Sequence, residues 1–121
     1  MLEIYGDGEQ TRDFIYIDDL VNAITQAAVS NDVGGEKFQI ATNRESTVAE
    51  VVESLCAVLR EKGVPDDEVV YGSARIGDVK RNFSDISKAK RMLGWSPEFD
   101  LKAGLENTVD YFINIVEQNN E

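Results

Sequence analysis

The 121-residue sequence contains no histidine and one cysteine, Cys56. Without histidine, the commonest proton carrier near neutral pH is missing, as is the usual nitrogen ligand of zinc. A lone cysteine excludes an internal disulfide framework and fits a reducing, cytoplasmic setting. No apolar run is long enough to span a bilayer, and the first residues, with Glu3 and Asp7, lack the basic, apolar pattern of a signal peptide. No Gly-x-Gly-x-x-Gly follows a strand and opens a helix, so the chain carries no dinucleotide fingerprint. Basic residues are also scarce: 12 against 23 acidic ones, a net charge of -11, which argues against nucleic acid as a partner.

A hydrophobic fraction of 42% and a charged fraction of 29% suit a single soluble domain with one modest core. The few cations are clustered. Arg75, Lys80, Arg81, Lys88, Lys90 and Arg91 are six of the 12 basic residues, and only Asp78 and Asp85 offset them locally. Such a basic field on an acidic protein suits a small phosphorylated anion. The plainer alternative is a helix face in water, which accounts well for Lys88 and Lys90.

Short strands and helices follow one another along the chain, an α/β (mixed α+β) pattern with three or four helices. Leu2–Tyr5 reads as a strand, Gly6-Asp7-Gly8 as a turn, and Phe14–Ile17 as a strand or extended lead-in. Asp18 is expected to cap a helix over 19–30 whose inward face is Leu20, Val21, Ile24, Ala27 and Ala28, with Asp19 a favourable first-turn charge. Residues 37–41 read as a strand. Thr47-Val48-Ala49-Glu50 is a capping box opening a helix over 48–62, with Val48, Val51, Val52, Leu55 and Leu59 inward and Cys56 beside them as a core thiol. Gly63 and Pro65 end it. Val69–Tyr71 is a further strand. Asp85 caps a short helix that buries Ile86, Ala89, Met92 and Leu93 and leaves through Gly94. A last helix runs from about 101 to 117 on Leu105, Val109, Phe112, Ile113 and Val116. Residues 119–121 read as a frayed tail.

The residue types that suit a ligand are Arg12, Arg75 and Asp78. Arginine presents a rigid fork that matches phosphate oxygens two at a time. Arg12 stands beside a glycine turn whose amides can also face an anion; pairing with nearby acid is the alternative. Arg75 and Asp78 flank Gly77 in a spacing that can aim both into one cleft, the cation toward phosphate and the carboxylate toward sugar hydroxyls. A local Arg75–Asp78 ion pair explains the same spacing. Asp13, Asp18 and Asp19 resemble an acidic cluster, but capping accounts for them better than a metal does. Tyr5, Tyr16 and Tyr71 fall at strand positions where packing is the default, and Trp95 fits a turn anchor.

Four stretches in order carry a resemblance: Gly6-Asp7-Gly8-Glu9-Gln10-Thr11-Arg12-Asp13-Phe14-Ile15-Tyr16-Ile17-Asp18-Asp19, then Arg75-Ile76-Gly77-Asp78, Ser84-Asp85-Ile86-Ser87-Lys88-Ala89 and Leu93-Gly94-Trp95-Ser96-Pro97. Over nearly its whole length the chain resembles the C-terminal portion of extended short-chain dehydrogenase/reductases that act on nucleotide sugars, UDP-glucose 4-epimerases above all. The resemblance implies that Arg12 and Arg75 clasp the diphosphate of a UDP-sugar and that Asp78 binds the ribose. Gly6, Gly8, Asp13 and Gly77 would shape the loops, Asp13 mostly through local hydrogen bonds. Residues 1–62 would pack near the cofactor domain and residues 63–118 would form the substrate-binding lobe. It also implies what is missing: the N-terminal Rossmann domain and a Tyr-x-x-x-Lys pair, since Tyr16, Tyr71 and Tyr111 are followed four residues later by Leu20, Arg75 and Ile115. In the whole enzyme a tyrosine takes the sugar's 4-OH proton while NAD accepts hydride. This chain alone is therefore expected to bind no cofactor and no metal and to be catalytically incomplete. A 4,6-dehydratase or decarboxylase shares these residues. The further alternative is a non-catalytic protein that self-associates, as a dimer for example, to cover surfaces made for the absent domain.

Overall fold

The computed structural model describes residues 1–65 and 67–118; the expected frayed tail at 119–121 lies outside them. Among the described residues there are four helices and two sheets of two strands each, with no extended Rossmann sheet. The elements are β1 (Leu2–Tyr5), β2 (Thr11–Arg12), α1 (Ile17–Val29), β3 (Ser46–Thr47), α2 (Val48–Glu61), β4 (Val69–Gly72), α3 (Ser87–Leu93) and α4 (Leu101–Gln118).

β1 pairs in parallel with β4, Leu2 opposite Val69 and Tyr5 opposite Gly72. β2 pairs antiparallel with β3, Thr11 opposite Thr47 and Arg12 opposite Ser46. The Gly6-Asp7-Gly8 turn joins the two ladders. Gly6 and Gly8 have φ of 80° and 77°, values a side chain resists. A Cβ on Gly8 would stand 3.1 Å from the Ala49 Cβ. That closeness lets the Gly8 carbonyl accept the Ala49 amide at 3.0 Å, which ties the turn to the start of α2.

α2 begins as its sequence directs. The Thr47 hydroxyl accepts the Glu50 amide at 3.1 Å and the Glu50 carboxylate accepts the Thr47 amide at 2.8 Å, the reciprocal capping box. Its fully buried residue is Val58, a position absent from the expected stripe, whose members are only half-buried. Cys56 is free and half-buried. α2 packs along α4, which buries Gly104 and Val109. The expected continuous apolar face of α4 fails in its second half: Phe112 and Val116 are each 59% exposed.

The main core gathers Ala23 of α1, Ala41, Ile86, Ala89 of α3 and Trp95, with Ile15, Phe38, Ile40 and Leu93 around it. Gly94 closes α3 in the left-handed conformation, φ 66°, and turns Trp95 into that core. The Trp95 indole N–H donates to the Asp19 carbonyl at 3.0 Å. Asp19 is itself buried, its two oxygens accepting the amides of Glu98 and Phe99 at 2.9 and 3.1 Å. It stands in the first turn of α1 as expected and is also a buried tie to the segment at 98–99.

Several expected elements take another form. Phe14–Ile17 forms no strand; the ladder lies at Thr11–Arg12, and Tyr16 is the extended lead-in (φ -75°, ψ 146°). Tyr16 packs on Phe99, ring centroids 4.8 Å apart, and against Gly104, so its side chain is spent on packing. α1 starts at Ile17 with Tyr16 as its cap and no side-chain capping bond, which leaves Asp18 an exposed first-turn residue. The buried positions of α1 are Asp19 and Ala23, whereas Val21 and Ile24 are 52% and 61% exposed. Residues 37–41 pack Phe38 and Ile40 onto the core but form no ladder, because no strand among the described residues lies beside them. Asp85 accepts the Ser87 amide at 2.8 Å, one position ahead of the cap of α3. Tyr71 points outward, 60% exposed.

Candidate functional site

Three segments distant in sequence meet at one face: residues 5–13, the loop 42–47 and residues 72–84. The Thr11 amide donates to the Lys80 carbonyl at 2.8 Å. The Asp13 carboxylate accepts the Thr42 amide at 2.8 Å, the Thr42 hydroxyl at 2.5 Å, the Asn43 amide at 2.9 Å and the Ser84 amide at 3.3 Å. Its bonds thus run to the other two segments, not within its own loop.

Arg12 leaves β2 toward residues 78–79. Nη1 donates to the carbonyls of Val79 at 2.5 Å and Thr11 at 2.7 Å, and Nη2 donates to Asp78 Oδ1. Asp78 is therefore the acid that Arg12 meets, and the ion pair set beside the ligand reading at Arg75 goes to Arg12 instead. Arg75, Ile76, Gly77 and Asp78 form a turn in which the Asp78 amide donates to the Arg75 carbonyl at 3.3 Å. Gly77, φ 84°, occupies the third position, where a type II turn needs a positive φ. The Arg75 guanidinium lies over the Tyr5 ring, 3.8 Å from its centroid.

Arg75, Asp78, Tyr5, Gln10 and Lys80 line one concavity of about 180 Å³ together with the glycine turn. Sequence reading singles out Arg75 and Asp78 for it. It passes over Lys80 and Gln10 as liners and assigns Tyr5 to packing. The charge cluster at 75–91 was the available signal for Lys80. One amide of the glycine turn and one just beyond it are already satisfied within the chain: Gly6 N–H by the Gly72 carbonyl at 3.1 Å and Glu9 N–H by Asp7 at 3.0 Å. A larger concavity of about 800 Å³ lies between loop 42–46 and residues 96–102, but none of Arg12, Arg75 and Asp78 lines it.

Glu45 underlies this face. Its carboxylate accepts the Thr11 hydroxyl at 2.6 Å and two Arg81 donors at 2.9 and 2.5 Å. Arg81, then Thr11, hold its pKa down at about 2, against an ordinary 4.5.

Residues 2–108 match the family described as GDP-mannose 4,6 dehydratase. The chain belongs to that family. The chain is similar to a dTDP-glucose 4,6-dehydratase of Xanthomonas campestris, 36% identical over 93% of this chain and 33% of the relative's own length. A crystal structure of UDP-glucose 4-epimerase with UDP-glucose from Thermotoga maritima superposes with a TM-score of 0.84 at 40% identity, over 95% of this chain and 35% of that one. A UDP-glucuronic acid 4-epimerase from Bacillus cereus, in complex with UDP-glucuronic acid and NAD, gives 0.82 at 31% identity, over 93% and 35%. The chain thus spans about a third of the length of the relatives it matches.

The turn after β1 does not have the strand-to-helix form of a dinucleotide fingerprint. It leads into β2, not into a helix whose N-terminus could hold a pyrophosphate. Among the described residues no group of three or more His, Cys, Asp or Glu is placed to hold a metal, and no helix is long and apolar enough to cross a membrane.

Proposed function

We propose that this chain is the nucleotide-sugar-binding portion of an NAD-dependent UDP-glucose 4-epimerase-like enzyme and corresponds to the C-terminal part of such a protein. The supporting observation is that Arg75 and Asp78 share one concavity with Lys80 while Arg12 grips Asp78 from the adjoining strand. In this reading Arg75 and Arg12 bind the diphosphate, with Lys80 adding positive charge. Asp78 accepts hydrogen bonds from the ribose hydroxyls, and the Arg12–Asp78 contact holds the two groups at a fixed separation until ligand arrives. NAD, which supplies hydride transfer when bound, is held outside this chain, as are the tyrosine and lysine that move the sugar's proton. The chain's own work is to bind and orient. A nucleotide-sugar 4,6-dehydratase or decarboxylase fits the same residues, because their reactions diverge at acid–base groups this chain does not carry.

The proposal extends to a partner. Ile17, Val21 and Ile24 on α1 are each more than half exposed, and the extended segment 37–41 lies without a ladder. A Rossmann domain in the same cytoplasmic protein would cover that helix face and pair with that segment. A second copy covering them is the non-catalytic alternative, and sedimentation of the isolated chain separates the two: a dimer that forms only through these surfaces favours self-association.

Calorimetric titration with UDP-glucose, UDP and uridine at fixed salt tests the site. Saturable binding that needs the diphosphate, weakened in Arg75→Ala protein with an unchanged fold, is the expected result. Equal affinity for uridine and UDP would refute the roles given to the arginines.

A further inference from the structure

Glu45 lines no part of the concavity that holds Arg75 and Asp78, yet it touches both segments that build it. We propose that Glu45 is a positioning residue for the nucleotide-sugar pocket, setting the distance between the strand that carries Arg12 and the segment that carries Arg75 and Asp78. The proposal rests on the functional reading above.

The geometry is a clamp with three jaws. Thr11 precedes Arg12 and donates its hydroxyl to Glu45 Oε1 at 2.6 Å. Arg81, three residues after Asp78, meets the same carboxylate fork to fork, Nε on Oε1 at 2.9 Å and Nη2 on Oε2 at 2.5 Å. These partners lie 34 and 36 residues away in sequence, so no local structure brings them together. Between them runs the Thr11 N–H to Lys80 C=O bond, a backbone link joining the two segments.

The carboxylate is itself held. Thr42 and Asn43 are fixed on Asp13, and Ser46 and Thr47 are paired with β2 just before the capping box of α2. Glu45 is therefore a charge on a short loop tied at both ends. Most exposed ion pairs contribute little, but a bidentate arginine–carboxylate pair within a network is the exception. Its side chain is 23% exposed, whereas that of Arg81 is 70% exposed. The loop thus fixes the acid, and the acid fixes the arginine. With Glu45 gone, Arg81 loses its acid partner beside Lys80 in the chain, and the segment bearing Asp78 loses one of its ties to β2.

The test uses the full chain and three proteins: Glu45→Ala, Glu45→Gln, and the exchanged pair Glu45→Arg with Arg81→Glu. Two readouts are taken, amide hydrogen exchange at Thr11 and the Kd for UDP-glucose. In Glu45→Ala, loss of charge-assisted bonds should speed Thr11 exchange and raise the Kd, each by about tenfold, while exchange at Val58 in α2 stays unchanged. Glu45→Gln, which keeps the shape and the Thr11 bond, should fall between. The exchanged pair should recover Thr11 protection and most of the affinity, a rescue that a general loss of stability would not show. Thr11 exchange within twofold of the unaltered chain in Glu45→Ala would overturn the clamp, whichever way binding turns out. Faster Thr11 exchange in Glu45→Ala with an unchanged Kd for UDP-glucose would overturn the positioning role. No saturable UDP-glucose binding by the unaltered chain would overturn the functional reading, and with it the ligand half of this proposal, while the exchange result still decides the clamp.

Discussion

The Trp95 core and the Arg12–Asp78 face are built on opposite principles. Around Trp95, apolar side chains from α1, α3 and residues 38–41 exclude water, and one buried carboxylate, Asp19, organises the loop that follows. At the Arg12–Asp78 face almost nothing is fully buried. Asp13, Glu45 and Arg12 lace three segments together through charged hydrogen bonds that remain in reach of solvent. The first region gains from area removed from water, so its stability should resist salt and moderate pH. The second gains from geometry and charge, so it should give way to both. A ligand face needs that second construction: donors kept near water can exchange their internal partners for a phosphate at little cost.

The largest blow should separate the two regions. Trp95→Ala removes a fully buried indole and its bond to Asp19 and should lower unfolding free energy by about 3–5 kcal/mol in urea titrations. Arg75→Ala should do the reverse. Urea stability should move by no more than about 0.5 kcal/mol, since its guanidinium rests only on Tyr5. UDP-glucose affinity should fall by about ten- to a hundredfold in calorimetry, the loss expected for charged hydrogen bonds. If Arg75→Ala unfolded the chain as Trp95→Ala does, the contrast between the regions would collapse.

Asp19→Ala is the intermediate case. It leaves the part-buried amides of Glu98 and Phe99 without their acceptor and should cost about 1–3 kcal/mol in all, read from thermal melts. Asp18→Ala, at an exposed position one residue away, should change the melt by no more than about 0.5 kcal/mol. Both are aspartates in the first turn of α1, and in sequence they are indistinguishable as helix-dipole charges. Only the arrival of residues 98–99, some 80 positions later, makes one of them structural.

Thr47→Ala should cost about 1 kcal/mol through the lost cap of α2. Unlike Asp19, this role was legible in four consecutive residues, because a capping box closes within one turn. The left-handed exit of α3 at Gly94 was legible for the same reason. The strand at 37–41 was not, because a strand needs a partner and period-two alternation alone does not provide one. The inward face of α1 was misread for a related reason. Periodicity identifies an apolar stripe at Leu20, Val21, Ile24, Ala27 and Ala28, but not whether anything covers it, and Val21 and Ile24 stand more than half exposed.

The smallest effect sharpens the comparison by pH. The pKa of Glu45 is held down at about 2, and those of Glu36 and Asp85 are lowered by Lys88 and by Ser87 respectively. A carboxylate whose folded pKa is depressed contributes stability above its unfolded pKa and loses it as pH falls through the folded one. Melting temperature should therefore stay nearly flat from pH 8 to 5 and decline between about pH 4.5 and 2. In Glu45→Gln protein part of that acid decline should disappear because the neutral-pH melt is itself lowered toward the acid value.

The sequence by itself determined what short-range chemistry can carry: the cap and stop of α2, the exit of α3 at Gly94, the positive-φ glycine turns, the net charge with its basic cluster, and the collinear stretches that mark the family. It also placed Arg12, Arg75 and Asp78 among the candidates, because arginine forks and glycine turns are recognisable wherever they stand. The tertiary structure decided the pairings. That Arg12 meets Asp78, that Glu45 holds Thr11 and Arg81, that Asp19 is buried and that residues 37–41 lie without a ladder are settled by contacts closed across 34 to 80 positions, or by their absence among the described residues. A side chain's partner at that separation depends on how every intervening element packs, and no local propensity encodes it.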